Sequence, residues 1–267
     1  MGTILKLENI CYSYIDGGYE RHILKDLSFE FEAGKFYTIL GPSGSGKTTL
    51  LSILAGLDTA KSGNVYFNGK LVEKKDLHKF RRNQISIVFQ QYNLIGYLTA
   101  LENVELAMTE TDNPVPKDKK TVAYNLLERF GIVNSKADRL VGQLSGGEQQ
   151  RVSIARALAS NVDLIFADEP TGNLDTATEN EIINIFKELS HEFGKTIIVV
   201  THSDSVSEMS DQRVLLKDGV LTRLWKTSLI IKRSFCYSLW KVSSMKFRNS
   251  CLSPSAINSG LFSASSQ

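Results

Sequence analysis

The chain has 267 residues, of which 42% are hydrophobic and 22% charged. That is enough for one large domain and is ordinary for a globular protein. The first residues lack the basic start and apolar core of a signal peptide, and no run reaches the ~20 apolar residues of a membrane helix. Three cysteines, Cys11, Cys236 and Cys251, show neither paired nor metal-ligand spacing. We therefore expect a cytoplasmic protein without structural disulfides.

The charge is unevenly distributed along the chain. The net charge is +2, but the segment 225–267 holds six basic residues and no acidic one, which leaves −4 for residues 1–224. Binding to nucleic acid depends on neutralising phosphates, and a mildly acidic body does this poorly. The sequence therefore predicts no nucleic-acid partner.

Short apolar strands alternate with helices along most of the chain. Strands are predicted at 3–8, 27–31, 36–40, 65–67, 71–72, 85–89, 162–167, 195–200, 213–216 and 220–223, and helices at 47–57, 98–108, 121–130, 146–160 and 177–193. This alternation is typical of an α/β fold with a mainly parallel sheet. The first strands are expected to be antiparallel, and a helical subdomain at about 92–160 interrupts the alternation. We predict one domain over 3–224 and a separate basic, serine-rich extension over 225–267.

A glycine-rich loop lies between the buried strand 36–40 and the helix that begins at Lys47. Its residues are Gly41, Pro42, Ser43, Gly44, Ser45, Gly46, Lys47, Thr48 and Thr49. The glycines let backbone N–H groups converge on phosphate oxygens, and the helix presents its positive end to the same anion. Lys47 can reach the outer phosphates, and the Thr48 hydroxyl can ligate Mg²⁺. A plain Gly/Ser-rich turn is the alternative, but the flanking strand and helix favour a P-loop NTPase core that binds ATP and Mg²⁺.

A second apolar strand ends in two neighbouring carboxylates, Asp168 and Glu169. Asp168 is suited to hold Mg²⁺ through its hydration shell, and Glu169 to polarise an attacking water. Many strands end in an acid, so this pattern alone would equally fit a solvated strand terminus. The pattern favours an ATP site because it follows the phosphate loop in the order that such a site requires.

The run 144–151 (LSGGEQQR) places Ser145 as the N-cap of a glycine-containing helix start. With this motif the chain resembles the ATP-binding subunits of ABC transporters, over about residues 3–224. A glutamate, Glu148, stands where the commonest family form has glutamine. In that family this helix faces the phosphate loop of a second subunit. The resemblance therefore implies a second ATP-binding subunit, with a homodimer as the expected form, whose ATP contacts Ser145, Gly146, Gly147 and Glu148.

The resemblance also assigns an aromatic residue that stacks on adenine. Tyr14 is the candidate, 27 residues before Gly41, and stacking of a base on an aromatic ring fits this role. Tyr12 and Tyr19 are nearby alternatives, and a packed core tyrosine is the plainer interpretation of any of them.

Three further positions take roles from the family pattern. Gln90, after the strand 85–89, resembles the glutamine that senses Mg²⁺ and the attacking water, with Gln91 as the alternative. Asp175 closes a loop that crosses the dimer interface in the family. His202, after the strand 195–200, resembles the histidine that contacts the γ-phosphate.

A narrower motif concerns the partner. The run 171–175 (TGNLD) is similar to that of the lipoprotein-release, macrolide- and peptide-export and cell-division ATPases. This branch implies a membrane permease partner that exports or extracts amphiphiles or peptides, and a location on the inner face of the cell membrane. The alternative within the branch is a cell-division-type regulatory ATPase that transports no solute. Residues 92–99 are expected to contact the permease, unless they only pack the subdomain.

The segment 225–267 holds twelve serines and both tryptophans. Its low complexity favours a disordered or aberrant extension. Two alternatives remain open: a basic, aromatic segment lying on anionic lipid, and the beginning of a fused permease.

Overall fold

The computed structural model describes residues 2–224, so the predictions about the segment 225–267 lie outside the described residues. The strands are β1 (Thr3–Asp16), β2 (Tyr19–Glu32), β3 (Phe36–Leu40), β4 (Ser62–Phe67), β5 (Lys70–Leu71), β6 (Ile85–Phe89), β7 (Leu164–Asp168), β8 (Thr196–Val200), β9 (Gln212–Lys217) and β10 (Val220–Leu224). The helices are α1 (Lys47–Leu54), α2 (Leu77–Asn83), α3 (Ala100–Glu110), α4 (Lys119–Arg129), α5 (Asn134–Ala137), α6 (Gly146–Ala159), α7 (Thr176–His191) and α8 (Asp204–Glu208). The predicted strands are all present, and the α/β fold class is confirmed. The structure adds α2, α5 and α8.

A six-stranded sheet forms the centre of the fold, in the order β10-β9-β3-β8-β7-β6. The five strands from β9 to β6 run parallel, and only β10 is antiparallel to its neighbour. β3, β7 and β8 are buried along nearly their whole length. Burial on both faces explains why these strands are continuous apolar runs without alternation.

A second, antiparallel sheet has the order β2-β1-β4-β5 and contains the N-terminal strands. β1 and β2 are longer than the sequence predicted, 14 residues each, because several bulges interrupt their register and obscure the alternation. The turn between β4 and β5 uses Asn68 and Gly69, both at positive φ, as the Asn-Gly pair predicts.

Helices α3 to α6 lie in the chain between β6 and β7. Capping boxes fix the start of α3, where Thr99 pairs with Glu102, and of α6, where Ser145 pairs with Glu148. Their apolar faces join one face of the central sheet in a shared core that includes Phe36, whereas the antiparallel sheet and α1 pack on the other face.

Helix α1 ends at Leu54, earlier than the predicted Leu57, since Gly56 takes a positive φ. Among residues 2–224, no helix is both long and apolar enough to cross a membrane.

Candidate active site

Four predicted site segments follow parallel strands of the central sheet. The glycine-rich loop follows β3, Gln90 follows β6, Asp168 ends β7, and His202 comes two residues after β8. Because these strands are parallel, their carboxyl ends share one edge of the sheet. The sheet therefore brings to one edge residues that are separated by more than 100 positions in the chain.

The glycine-rich loop closes tightly before α1. Gly46 has a φ of 93°, and an added Cβ would overlap the side chain of Ile23, so both the backbone and the space require glycine. The Nζ atom of Lys47 donates to the carbonyls of Gly41 and Pro42, at 2.9 and 3.1 Å. Lys47 is thus held across its own loop with only 8% of its surface exposed. The ammonium is therefore positioned by the loop itself.

A cavity of about 370 Å³ lies above this loop. It is lined by Tyr14, Ile23, Ser43, Gly44, Gly46, Lys47, Thr48, Thr49 and Glu169. Every lining residue except Ile23 was predicted from the sequence as a site residue. The structure thus brings the phosphate loop, one candidate aromatic and the candidate base to a single cavity.

Ile23 is the lining residue that the sequence did not reveal. It lies at a bulge of β2, because Tyr12 pairs with Leu24 whereas the next residue, Ser13, already pairs with His22. A bulge leaves its extra residue unpaired and redirects the side chain, here toward Gly46. Prediction from alternating apolar residues assumes regular strand pairing, so it cannot identify a residue at a bulge.

The three candidate tyrosines differ in position. Tyr14 lines the cavity and is 43% exposed, whereas Tyr19, close to the hairpin turn, is 80% exposed. The Tyr12 hydroxyl donates to a carboxylate oxygen of Asp58 at 2.7 Å, and its ring packs against the core. Of the three, only Tyr14 presents a ring to the cavity.

Asp168 has the properties expected of a residue that holds a cation. Its Oδ1 atom is buried and has no hydrogen-bond partner among the described residues, and Thr48 of the glycine-rich loop is close enough to oppose part of the rise in its pKa. Burial raises the pKa of Asp168, and the nearby charge of Glu169 raises it further. A carboxylate and a hydroxyl beside a phosphate site are the oxygen donors that Mg²⁺ prefers, so the residues fit the predicted ion.

Glu169 is held in an uncommon backbone conformation, with a φ of 45°. Its N–H donates to the carbonyl of Val200 at 2.9 Å, and its own carbonyl accepts from Gly172 at 3.1 Å. The side chain meets His202, whose Nδ1 lies 3.1 Å from Oε1 of Glu169. The two side chains are thus joined by a direct hydrogen bond. Strained residues of this kind concentrate at functional sites.

Gln90 contacts the loop that precedes α7. Its side-chain amide donates to Oδ1 of Asn173, and the Asn173 amide donates to the Gln90 carbonyl, both at 3.4 Å. Gly172 packs against the same amide, and an added Cβ there would lie 2.8 Å from it. Asp175 caps α7 by accepting from the N–H groups of Ala177 and Thr178. The loop 172–175 therefore connects Gln90 to the start of α7.

The start of α6 lies apart from the cavity. None of the four predicted site residues there, Ser145 to Glu148, lines the cavity. A Cβ on Gly146 would lie 2.7 Å from the Tyr92 hydroxyl, and one on Gly147 would lie 2.7 Å from Cγ2 of Thr178. The two glycines thus let α6 approach the segment after Gln90 and the first turn of α7. In the described part of this chain, the helix start is not a wall of the cavity.

These features define a nucleotide-binding protein of the P-loop class. The family model described as "ABC transporter" matches residues 24–172. An uncharacterized ABC transporter ATP-binding protein of Bacillus subtilis is 44% identical over 220 residues, which cover 82% of this chain and 96% of the relative. The chain therefore belongs to the ATP-binding subunits of ABC transporters, and it is an ATPase.

Two further comparisons add detail. A dimeric structure of an ATP-binding cassette of Methanocaldococcus jannaschii, in a post-hydrolysis state with ADP and Pi, is 39% identical with a TM-score of 0.75. The match covers 83% of this chain and 99% of that chain. A macrolide export ATP-binding/permease protein of Rhodopirellula baltica is 40% identical over 222 residues, which cover 82% of this chain and 32% of that protein. These relatives confirm the predicted branch of the family.

Proposed function

We propose that this ATPase dimerises around ATP and powers a separate membrane permease that exports or extracts amphiphiles or peptides. The observation that carries the proposal is that the residues predicted to bind ATP lie in two separate places within the chain. The phosphate loop and Glu169 share a cavity, whereas Ser145 to Gly147 lie elsewhere. A second copy would supply the missing helix start, and the related cassette of Methanocaldococcus jannaschii is a dimer.

Each group in the cavity has a chemical task in this proposal. The loop N–H groups and Lys47 bind the phosphates, and Tyr14 stacks on the adenine. Glu169 accepts a proton from the attacking water, with His202 holding the carboxylate in position. Thr48 and Asp168 would hold Mg²⁺, with Gln90 as a further ligand, and the ion would neutralise charge on the phosphate oxygens.

The segment 92–99 is the proposed contact with the permease. Tyr97 is 80% exposed, and the segment starts two residues after Gln90. Its first turn is fixed to α6, because Arg156 donates to the carbonyls of Tyr92 and Asn93, at 3.2 and 2.6 Å. A movement of Gln90 toward a nucleotide would therefore be transmitted both to α6 and to the exposed surface.

Two relatives support a permease partner. The relative of Rhodopirellula baltica carries an ATP-binding part and a permease in one chain. The relative of Bacillus subtilis is matched over 96% of its length, so its ATP-binding part makes up nearly the whole chain. By analogy with the latter, we propose a separately encoded permease and a location on the inner face of the membrane.

Mixing two inactive variants tests the split site. Lys47→Ala disables the phosphate loop, and Ser145→Arg blocks the helix start, so each homodimer contains only broken sites. A heterodimer contains one intact site and one doubly broken site. Random mixing makes half of the dimers heterodimers, so phosphate release should recover to about a quarter of the wild-type rate. If neither activity nor an ATP-dependent dimer, measured by light scattering, appears in the mixture, the proposal is wrong.

A further inference from the structure

The start of α6 carries a negative charge, although in the proposed function this helix start receives the phosphates of ATP. One carboxylate oxygen of Glu148 accepts from the Ser145 N–H at 2.9 Å, and the Glu148 N–H donates to the Ser145 hydroxyl at 3.4 Å. This capping box fixes the carboxylate within the first turn. A helix N-terminus attracts anions, so Glu148 and an incoming phosphate would occupy the same positive end.

A lysine from a different element meets the second oxygen of this carboxylate. Lys136 belongs to the four-residue helix α5, and its Nζ atom forms an ion pair with Oε1 of Glu148. Lys136 is the largest cause of the lowered pKa of Glu148, so the carboxylate is fully ionised at neutral pH. The Glu148 side chain is only 18% exposed, so solvent screens its charge little and the lysine is its main compensation.

The position of α5 keeps this lysine in place. Ala137 is fully buried in the core that α6 also contributes to, and the Lys136 N–H donates to the Val133 carbonyl at 2.8 Å. The ammonium therefore comes from a rigid turn and not from a free loop. A lysine presented in this way loses less conformational freedom when it pairs than an exposed one would.

We propose that Lys136 is a positioning residue that cancels the charge of Glu148, so that Ser145 to Gly147 can receive the phosphates of ATP held by a second copy of this chain. The inference rests on the proposed function. Without Lys136, the partly buried carboxylate would repel the nucleotide across the dimer interface. A glutamine at position 148 would not need the lysine, so the requirement for Lys136 exists only when residue 148 is glutamate.

A double-mutant cycle tests this dependence. The parent carries Glu169→Gln, which should trap the ATP-bound dimer, and the measured quantity is the ATP concentration that gives half-maximal dimer by analytical ultracentrifugation. Lys136→Met should raise this concentration at least tenfold with Glu148 present, but less than twofold when Glu148→Gln is also present. Lys136→Arg should recover most of the effect. The matched control Lys120→Met removes an exposed lysine of the nearby helix α4 and should change nothing.

The outcomes separate the two proposals. An equal loss from Lys136→Met in both backgrounds, or no loss in either, would show a merely structural ion pair and overturn the inference alone. A parent protein that forms no dimer with ATP would overturn the proposed function, and the inference with it. Thermal unfolding of each variant without nucleotide separates misfolding from an effect on ATP, because charge cancellation should leave the melting temperatures within a few degrees of the parent.

Discussion

The two halves of the proposed site are built by different means. The phosphate-loop half combines residues from β1, β2, α1 and β7 with the loops that follow β3 and β7, and its charged groups are buried or held by neighbours. The half at the start of α6 is a single helix N-terminus, fixed by one capping box and one ion pair. The first half depends on the order of strands in the sheet, whereas the second depends on local turn chemistry and on how α6 packs.

This contrast indicates which changes each half tolerates. A substitution in the first half should remove binding or chemistry while the fold persists, because the sheet holds the remaining residues in place. A substitution in the second half should change how α6 packs. It should also weaken the ATP site that this helix start completes in a second copy of the chain. Four experiments, in descending order of expected effect, test this distinction.

Removing the candidate base should have the largest effect. Glu169→Gln keeps the shape of the side chain but cannot accept a proton, so steady-state phosphate release should fall roughly 10²- to 10⁴-fold. Binding of ATP, measured by equilibrium dialysis, should persist. Glu208→Gln, at an exposed glutamate in the last turn of α8, is the matched control. A fall of less than tenfold for Glu169→Gln would assign the base elsewhere.

Asp168→Asn should lower ATPase activity, by less than Glu169→Gln does, and yet stabilise the protein without nucleotide. Since burial raises the pKa of Asp168, the stability that its protonated form contributes is present at low pH and lost as the pH rises through the raised pKa. At neutral pH the ionised group is a cost that asparagine removes, and a gain of about 1 kcal/mol would raise the melting temperature by about 2–4 °C.

The pH dependence is the internal control for this variant. The melting temperatures of wild type and Asp168→Asn should converge as the pH falls through and below the raised pKa, because the wild-type carboxyl is then protonated. Added Mg-ATP should stabilise the wild type more than the variant. A variant that is less stable at neutral pH would show that Asp168 is held by contacts other than those described.

Gly146→Ala tests the packing of the second half. Its methyl group would lie 2.7 Å from the Tyr92 hydroxyl, and such overpacking costs about 1–3 kcal/mol. Tyr92→Phe removes that hydroxyl, so the double variant should recover stability and ATPase activity relative to Gly146→Ala alone. Gly142→Ala, where a Cβ meets nothing within 4 Å, is the control. No recovery in the double variant would place the clash elsewhere.

The smallest effect is expected at the adenine end of the cavity. Stacking of a base on an aromatic ring is worth about 1–3 kcal/mol, so Tyr14→Ala should raise the KM for ATP at least fivefold, whereas Tyr14→Phe should keep it near wild type. Tyr19→Ala, at the more exposed tyrosine beyond the hairpin turn, is the matched control. If Tyr19→Ala raised the KM for ATP more than Tyr14→Ala does, Tyr19 and not Tyr14 would be the residue that stacks on adenine.

Many of the strands and helices within residues 1–224 could be predicted from the amino-acid sequence. β3 was predicted to the residue, because a strand buried on both faces is an uninterrupted apolar run. β6 was predicted with the correct bounds although it is a half-buried edge strand that contains Ser86. Other elements were missed: α2 and α8 are single short helices of five to seven residues, too short to establish a helical period. The extent of β1 and β2 was underestimated because bulges break their alternation.

The candidate site residues and their order could be predicted from the amino-acid sequence, since a glycine-rich loop, a carboxylate-ended strand and a capped helix start follow from local backbone requirements. Which of these residues meet depends on the tertiary structure. The parallel order of β3, β8, β7 and β6 brings their ends to one edge. A bulge turns Ile23 toward Gly46, and the hairpin presents Tyr14, not Tyr12, to the cavity. Packing places the start of α6 apart from that cavity, because contacts between distant segments depend on strand pairing and burial that no local pattern encodes.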